Sequence, residues 1–577
     1  MIKVSNLSYS FPKKDLYDKI SFSLEDGQHC AFIGASGSGK STLADILMHP
    51  EKYLFDGKLE IDPHCRIGYV SQFSQPDSTN EMTVIEYIGE SFSKLQKELA
   101  SICAEMENTP DPDSLLEKYQ HAADALDAMG GDDFESNMNK KLNLSGLTAH
   151  KNQKVSDLSG GEFKLVQVMK EMLTSPDLII MDEPDVFLDF ENLTALKDLI
   201  NSHKGILLII THNRYLLHHC FNKIIHLENM DLQEFDGKYE DYNFSLLQRK
   251  IELQELSLAY TEEIKRNEIV SEKLRAIATT NSEAARGKAL KARVKYLERL
   301  EMNRVEAPFV AIKQPGIRLV TDAKIEETVV LQVTNYHVSF DETLLEKVNF
   351  TMKSTDKVAL IGANGTGKTT LLRAIYANNQ SSIAIRDGVE AAYLSQLQGE
   401  MLNESNTIQD EFFDTGFKTI DEIASYIAGY GFDREAMAQT ISTLSGGERN
   451  ILQLAKISAG KATLLLLDEP TSHLDTYSQI ALEKAIKEYT GAILMISHDF
   501  YSIVNCMDYV LIIEDKMIRR MSIRNFKKLI YTSHFDQDDS ELEQKKKSVE
   551  EKIAMALKDT NFARARTISE KLEKMIT

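Results

Sequence analysis

Gly34-Ala35-Ser36-Gly37-Ser38-Gly39-Lys40-Ser41 and Gly362-Ala363-Asn364-Gly365-Thr366-Gly367-Lys368-Thr369 are two copies of one glycine-rich loop in a chain of 577 residues. Each fits the G-x-x-x-x-G-K-[ST] pattern and follows an apolar, strand-like run, Ala31-Phe32-Ile33 or Val358-Ala359-Leu360-Ile361. Small residues at this spacing let backbone N–H groups wrap phosphates at a helix N-terminus, where the first donors have no intrahelical partner. Lys40 and Lys368 supply a point charge for the outer phosphate oxygens, and Ser41 and Thr369 a hydroxyl for a Mg²⁺ shell. One such loop can arise by chance in a glycine-rich turn. Two, each followed by the same later segments, do not.

Working outward, Leu158-Ser159-Gly160-Gly161-Glu162 recurs as Leu444-Ser445-Gly446-Gly447-Glu448. Leu178-Ile179-Ile180-Met181-Asp182-Glu183-Pro184 recurs as Leu464-Leu465-Leu466-Leu467-Asp468-Glu469-Pro470, and Thr211-His212 as Ser497-His498. These three pairs share an offset of 286 residues (159 to 445, 183 to 469, 212 to 498), whereas the glycine-rich loops are offset by 328 (34 to 362). The first half therefore carries 42 extra residues between loop and signature; Gln72 and Gln396, each after a Tyr-x-Ser run, are offset by 324 and place 38 of them after the glutamine. The chain reads as a duplicated domain with one insertion.

On these motifs, and on LSGGE above all, both halves resemble the ATP-binding cassette (ABC) ATPases. The resemblance implies an α/β fold with two P-loop cassettes and assigns roles residue by residue. Phosphates would lie against Gly34, Ser36, Gly37, Gly39 and Lys40, with Ser41 and Thr42 next along the helix. In the second half the same places are held by Gly362, Asn364, Gly365, Gly367, Lys368, Thr369 and Thr370. Mg²⁺ would be held by Ser41, Gln72 and Asp182, or by Thr369, Gln396 and Asp468. Glu183 and Glu469 are the implied general bases, and His212 and His498 the γ-phosphate sensors. In such proteins the signature completes the opposite cassette's site. Site one would thus combine Lys40 with Ser445, Gly446 and Gly447, and site two Lys368 with Ser159, Gly160 and Gly161. Adenine would stack on Phe11, 23 residues before Gly34, and Phe340, 22 before Gly362, with Tyr9 as a rival and a core role open for each.

Composition bounds the rest. Hydrophobic content of 42% and charged content of 27% are those of an ordinary globular protein. The longest apolar runs, such as Ile206 to Ile210, fall far short of the ~20 residues of a membrane helix. Five scattered cysteines show neither paired nor metal-ligand spacing, and no signal peptide is visible, so a cytoplasmic protein with reduced thiols is expected. A net charge of −22 argues against a surface that binds nucleic acid all over.

One local basic element stands against that acidity. From about Phe244 to Glu306 there is no proline, and the pattern predicts two long antiparallel helices with a turn near residue 280. Beside that turn lie Arg286, Lys288, Lys291, Arg293, Lys295 and Arg299, with Glu298 as the one acid between them, a candidate RNA contact. The first-half insertion, roughly 91–148, predicts a helical pair, and residues 534–577 a short C-terminal helical hairpin. The expected domains are 1–243 (cassette one), 244–329 (linker), 330–533 (cassette two) and 534–577.

Two cassettes joined by a helical hairpin, together with the run Asp468-Glu469-Pro470-Thr471-Ser472-His473-Leu474-Asp475, resemble the ABC-F family. That resemblance implies a monomeric ATPase whose cassettes close on ATP and Mg²⁺. It would bind the ribosome (rRNA and P-site tRNA) in the ATP state, as a translation factor or in antibiotic target protection. The alternative is a fused ATPase subunit of a transporter. The first half departs from the run, reading Asp182-Glu183-Pro184-Asp185-Val186-Phe187-Leu188-Asp189. Unequal sites are therefore expected, with site one the slower.

Overall fold

The computed structural model describes residues 2–11, 14–62, 65–72, 81–108, 113–186, 188–280, 295–296, 316–321, 327–340, 343–395, 401–534, 549, 552–553, 556 and 561–576. It has two compact units, Met1–Tyr239 with Pro315–Ile530, and Glu240–Gln314 with Tyr531–Thr577.

The first unit holds both cassettes, and each is built on the same two sheets. In cassette one, β1 (Ile2–Phe11), β2 (Lys14–Leu24) and β4 (Asp56–Glu60) form an antiparallel sheet in the order β2-β1-β4, and β3 is His29–Gly34. The second sheet adds β5 (Ile67–Val70), β6 (Leu178–Asp182), β7 (Ile206–Ile210), β8 (Lys223–Glu228) and β9 (Asp231–Asp236) to β3, in the order β5-β6-β7-β3-β8-β9. All neighbours there are parallel except β8 and β9. Continuous apolar runs such as Leu178–Met181 suit strands covered on both faces, and all four residues are buried.

Cassette two repeats the plan. Strands β10 (Val329–Ser339), β11 (Thr343–Lys353) and β13 (Ile383–Ile385) form the antiparallel sheet, and β12 is Lys357–Ile361. The larger sheet runs β14-β15-β16-β12-β17-β18, with β14 Ala391–Leu394, β15 Leu464–Asp468, β16 Ala492–Ile496, β17 Tyr509–Glu514 and β18 Met517–Ser522. In both cassettes one apolar core joins the two sheets and the helix that follows the glycine-rich loop.

The insertion forms helices Glu90–Asn108 and Asp113–Ala128, which share a small core of Ile102, Leu115 and Ala122. Leu99 and Met106 pack against that core, whereas Leu116 and Tyr119, beside Leu115, are exposed. Residues 316–320 read as linker by sequence but pack with cassette two. Ile317 and Leu319 are buried, Gly316 N donates to Gly429 O, and Tyr430 Oη donates to Arg318 O.

The second unit contains most of the helix Tyr239–Thr280. Tyr296 Oη donates to Glu263 Oε1 at 2.6 Å, which sets residues 33 positions apart side by side, as the expected antiparallel pairing requires. The C-terminal helix Phe562–Ile576 belongs to this unit too: Ala565 is buried with Ile251, Ile553 and Ala556, and Arg566 pairs with Glu255. Among the described residues no helix is long and apolar enough to cross a membrane.

Candidate functional site

The strand register assembles each site. Phe32 of β3 and Asp182 of β6 both pair with Ile210 of β7, so the glycine-rich loop, Glu183 and Thr211-His212 all leave the same edge of the sheet. Leu360 and Asp468 pair with Ile496 in the same way, which brings Glu469 and Ser497-His498 to the second loop. The carboxyl edge of a parallel sheet is where such folds bind ligands.

Helix Lys40–Met48 starts from Gly39 at φ 103°, and helix Lys368–Ala377 from Gly367 at φ 91°, with no side chain capping either N-terminus. A Cβ on Gly34 would lie 2.3 Å from Leu227 O, so only glycine lets the loop fold here. Lys40 Nζ donates to Gly34 O and Ala35 O at 2.9 Å, and Lys368 Nζ to Gly362 O and Ala363 O at 2.7 Å. Burial lowers the pKa of both ammonium groups, against the pull of Glu183 on one and Glu469 on the other. Tyr17 Oη donates to Gly39 O at 2.5 Å, bracing the loop from β2.

The residues fit a nucleotide with Mg²⁺. Asp182 is hydrogen-bonded to Ser41, and Asp468 to Thr369, which places each carboxylate beside its loop hydroxyl. Burial raises the pKa of both carboxyls, and Asp468 Oδ1 and His498 Nδ1 are buried without a hydrogen-bond partner. A metal ion with its water shell would satisfy such a carboxylate, and a phosphate oxygen such a ring nitrogen.

Glu183 and Glu469 sit at φ 46° and 49°, a left-handed backbone unusual for glutamate. Their N–H groups donate to Ile210 O and Ile496 O, which holds the chain in that turn. The two glutamates have different surroundings. Burial pushes Glu469 up to about 8, with the Asp468 charge adding to it. Burial also acts on Glu183, but the His473 hydrogen bond, with the Lys40 charge, outweighs it and the carboxyl falls below its usual range. Burial drives His212 down to about 4 and His498 to about 3, so both rings are neutral at pH 7.

The cassettes meet loop to signature at both sites. Ser36 N donates to Asp475 Oδ2 at 3.1 Å, and Ser36 Oγ lies 3.2 Å from Ser445 Oγ. Asn364 N donates to Asp189 Oδ2 at 3.0 Å, and a Cβ on Gly161 would lie 3.3 Å from Asn364 Nδ2. Each signature serine caps its own helix in a Ser-x-x-Glu box, Ser159 with Glu162 and Ser445 with Glu448, which leaves Gly160-Gly161 and Gly446-Gly447 as the first turn. Asp189 and Asp475 each use one oxygen to cap their own helix and the other to reach the opposite loop.

Matches with known proteins follow this geometry. A family model described as "ABC transporter" covers residues 17–186 and 345–472, more than half of the chain. This chain belongs to the ABC family. It is a tandem ATP-binding-cassette protein of ABC-F-like organisation. It is 28% identical over 518 residues to an uncharacterized ABC transporter ATP-binding protein, YfmM, of Bacillus subtilis, covering 87% of this chain and 96% of the relative. It is 29% identical over 520 residues to the energy-dependent translational throttle protein EttA of Escherichia coli, covering 88% and 90%. A solved structure described as a model of ribosome-bound archaeal Pelota and ABCE1 shares the fold, with TM-score 0.56, 15% identity and coverage of 92% of this chain and 80% of that one.

The remaining sequence candidates fall as follows. Gln72 Nε2 donates to Glu183 Oε2 at 2.5 Å and so joins site one, whereas Gln396 lies outside the described residues. Phe11 is exposed and packs edge-on against Tyr9, which itself packs against Tyr17 and Tyr53; Phe340 is exposed. Arg286, Lys288, Lys291 and Arg293 lie outside the described residues, and Lys295 is exposed.

Sequence reading missed several cassette residues. Asp185, at the position of Thr471, accepts from Thr211 Oγ1 at 2.6 Å, and burial pushes it up to about 6. Lys164 Nζ donates to Ser71 O and Gln72 O, whereas its repeat partner Asn450 donates to Pro470 O and Ser472 O. His473 Nδ1 lies 3.3 Å from Glu183 Oε2 and 3.1 Å from Gln72 Nε2, reaching them from the other cassette. The 286-residue offset could have flagged Lys164 against Asn450, but not what either touches.

Proposed function

We propose that this protein is an ATPase whose two cassettes close on Mg²⁺ and ATP, and that it acts on translation by binding ribosomes in the closed state. The observation that carries the ATPase reading is the reciprocal apposition of Ser36 with Ser445 and Asp475, and of Asn364 with Asp189. Nucleotide at either site would touch both cassettes, so binding holds them together and loss of the γ-phosphate weakens the joint.

In turnover, a water oxygen bonds to the γ-phosphorus as the bond to the bridging oxygen breaks and ADP leaves with the electron pair. Glu183, or Glu469 in its ionised form, takes the water proton. His212 and His498, held neutral by burial, would donate a ring N–H to the γ-phosphate from the C-terminal ends of β7 and β16. Mg²⁺ at Ser41, Gln72 and Asp182, or at Thr369, Gln396 and Asp468, would neutralise charge on the β and γ oxygens. Phe11 and Phe340 remain the exposed aromatics offered to adenine.

Similarity to a translational throttle protein across 88% of this chain supports the ribosome as partner, and the basic run Arg286 to Lys295 supports RNA contact by the linker. A protein acting on ribosomes works in the cytoplasm. The test is the double variant Glu183→Gln/Glu469→Gln. It should bind ATP, lose turnover, sediment with ribosomes when ATP is present, and stall translation on expression. Co-purification with a membrane complex, and none with ribosomes, would favour the transporter-subunit reading.

A further inference from the structure

The two glutamates are anchored differently. In site one, Gln72 Nε2 and His473 Nδ1 both converge on Oε2 of Glu183, at 2.5 and 3.3 Å. Gln72 comes from cassette one and His473 from cassette two. In site two, Glu469 is contacted, among the described residues, from within its own cassette: His498 N donates to Oε2 at 3.3 Å, and His498 Nε2 lies 3.6 Å from Oε1. The residue 286 positions before His473 is Phe187, which has no ring nitrogen.

We propose that His473 is a positioning residue for Glu183 acting across the cassette interface, so that turnover at site one requires the Thr471–Asp475 loop to be seated on cassette one. The proposal rests on the ATPase reading above. Three features make His473 a constrained reporter of that seating. Asn450 Nδ2 donates to Ser472 O at 2.8 Å, fixing the loop just before it. Asp475 Oδ2 accepts from Ser36 N, fixing the loop just after it. The ring packs over the signature, where a Cβ on Gly446 would lie 3.2 Å from His473 Cγ. Signature, loop and glutamate thus form one chain of contacts, Gly446 to His473 to Glu183.

With its proton on Nδ1, His473 donates to Oε2 and leaves Oε1 to take the water proton. Withdrawing the loop would free the glutamate side chain, and the cost of misplacing a catalytic group is steep. The expected order of the sites then reverses. The altered loop Asp185–Asp189 belongs to cassette one but reaches the other site, as Asp189 shows by accepting from Asn364 N. The departure from the family pattern therefore burdens site two, and site one keeps its anchor.

Single-turnover ATP hydrolysis separates the sites, because the Glu469→Gln protein reads site one and the Glu183→Gln protein reads site two. In the first background, His473→Gly, which accepts the φ of 61° at this position, should slow hydrolysis roughly tenfold to a hundredfold with ATP affinity unchanged. His473→Asn, which tolerates left-handed backbone and keeps an N–H donor, should restore most of the rate. In the second background His473→Gly should change the rate less than about twofold, well inside the effect on site one. Equal slowing at both sites, slowing that tracks lost ATP affinity, failure of Asn to rescue, or an inert His473→Gly would each overturn the proposal. Undiminished hydrolysis in the double glutamine variant would instead overturn the assignment of the glutamates themselves, and this proposal with it.

Discussion

At the scale of single residues, the signature glycines divide by what surrounds them. A Cβ on Gly447 would lie 2.6 Å from His473 O and 2.6 Å from Ser36 Oγ, and the first of these is backbone that cannot swing away. A Cβ on Gly161 would meet Asn192 Nδ2 at 2.9 Å and Asn364 Nδ2 at 3.3 Å, the far ends of side chains that can rotate. Overpacking that must move backbone costs about 1–3 kcal/mol, and here it would act on the seam itself. Gly447→Ala should therefore lower site-one turnover about tenfold or more, while Gly161→Ala leaves site two within roughly threefold. Single-turnover assays in the two glutamine backgrounds read each directly. Equal effects would mean that the seams are equally tight.

At the scale of elements, the C-terminal segment has a definite place. Ile251 of the helix Tyr239–Thr280 is 2% exposed, within a cluster completed by Ile553, Ala556 and Ala565. A long polar helix has little stability of its own and depends on packing. This cluster is what the C-terminal residues supply, with the Arg566–Glu255 pair at its exposed rim contributing little. Ile251→Ala should cost the second unit about 2–4 kcal/mol by opening a cavity in so small a core. Hydrogen exchange should show faster exchange along the helix Tyr239–Thr280, with helix Gly160–Leu173 of cassette one unaffected. Deleting residues 535–577 should do the same. An unchanged exchange pattern would make the C-terminal segment a passive tail.

At the scale of the whole molecule, the repeat is broken at the joint between cassettes. Arg214 Nη2 donates to Glu483 Oε1 at 2.5 Å and to Asp499 Oδ2 at 3.0 Å, with the guanidinium 4.8 Å from the Tyr501 ring centroid. Its repeat partner is Phe500, packed against Tyr501 and Phe526, so the symmetric position holds an apolar contact. Arg214 is buried against two carboxylates of the other cassette, and both hold its pKa far above the usual guanidinium value despite the burial. Removing one member of a buried ion cluster strands the others. Arg214→Met should cost about 3–5 kcal/mol in chemical denaturation of the cassette unit, and adding Glu483→Gln and Asp499→Asn should recover much of it. A cost below about 1 kcal/mol would mean that the pair is solvated in solution.

The sequence by itself determined the fold and most of each site. The phosphate loops, LSGGE, the Asp-Glu pairs and the closing histidines carry local rules: glycine where φ is positive, Ser-x-x-Glu where a helix starts, and apolar runs where a strand is covered on both faces. Those rules act over a few residues, so they are legible along the chain. What only the tertiary structure decided acts across hundreds of residues. Nothing in Asp182-Glu183 announces that a histidine 290 positions away reaches the same oxygen. Nor does the altered run Asp185–Asp189 reveal that Asp185 is satisfied by Thr211 while Asp189 serves the other site. The repeat arithmetic aligned the halves but treated each loop as belonging to its own cassette. A hydrogen bond depends on position in space, and that is set by how the two cassettes meet.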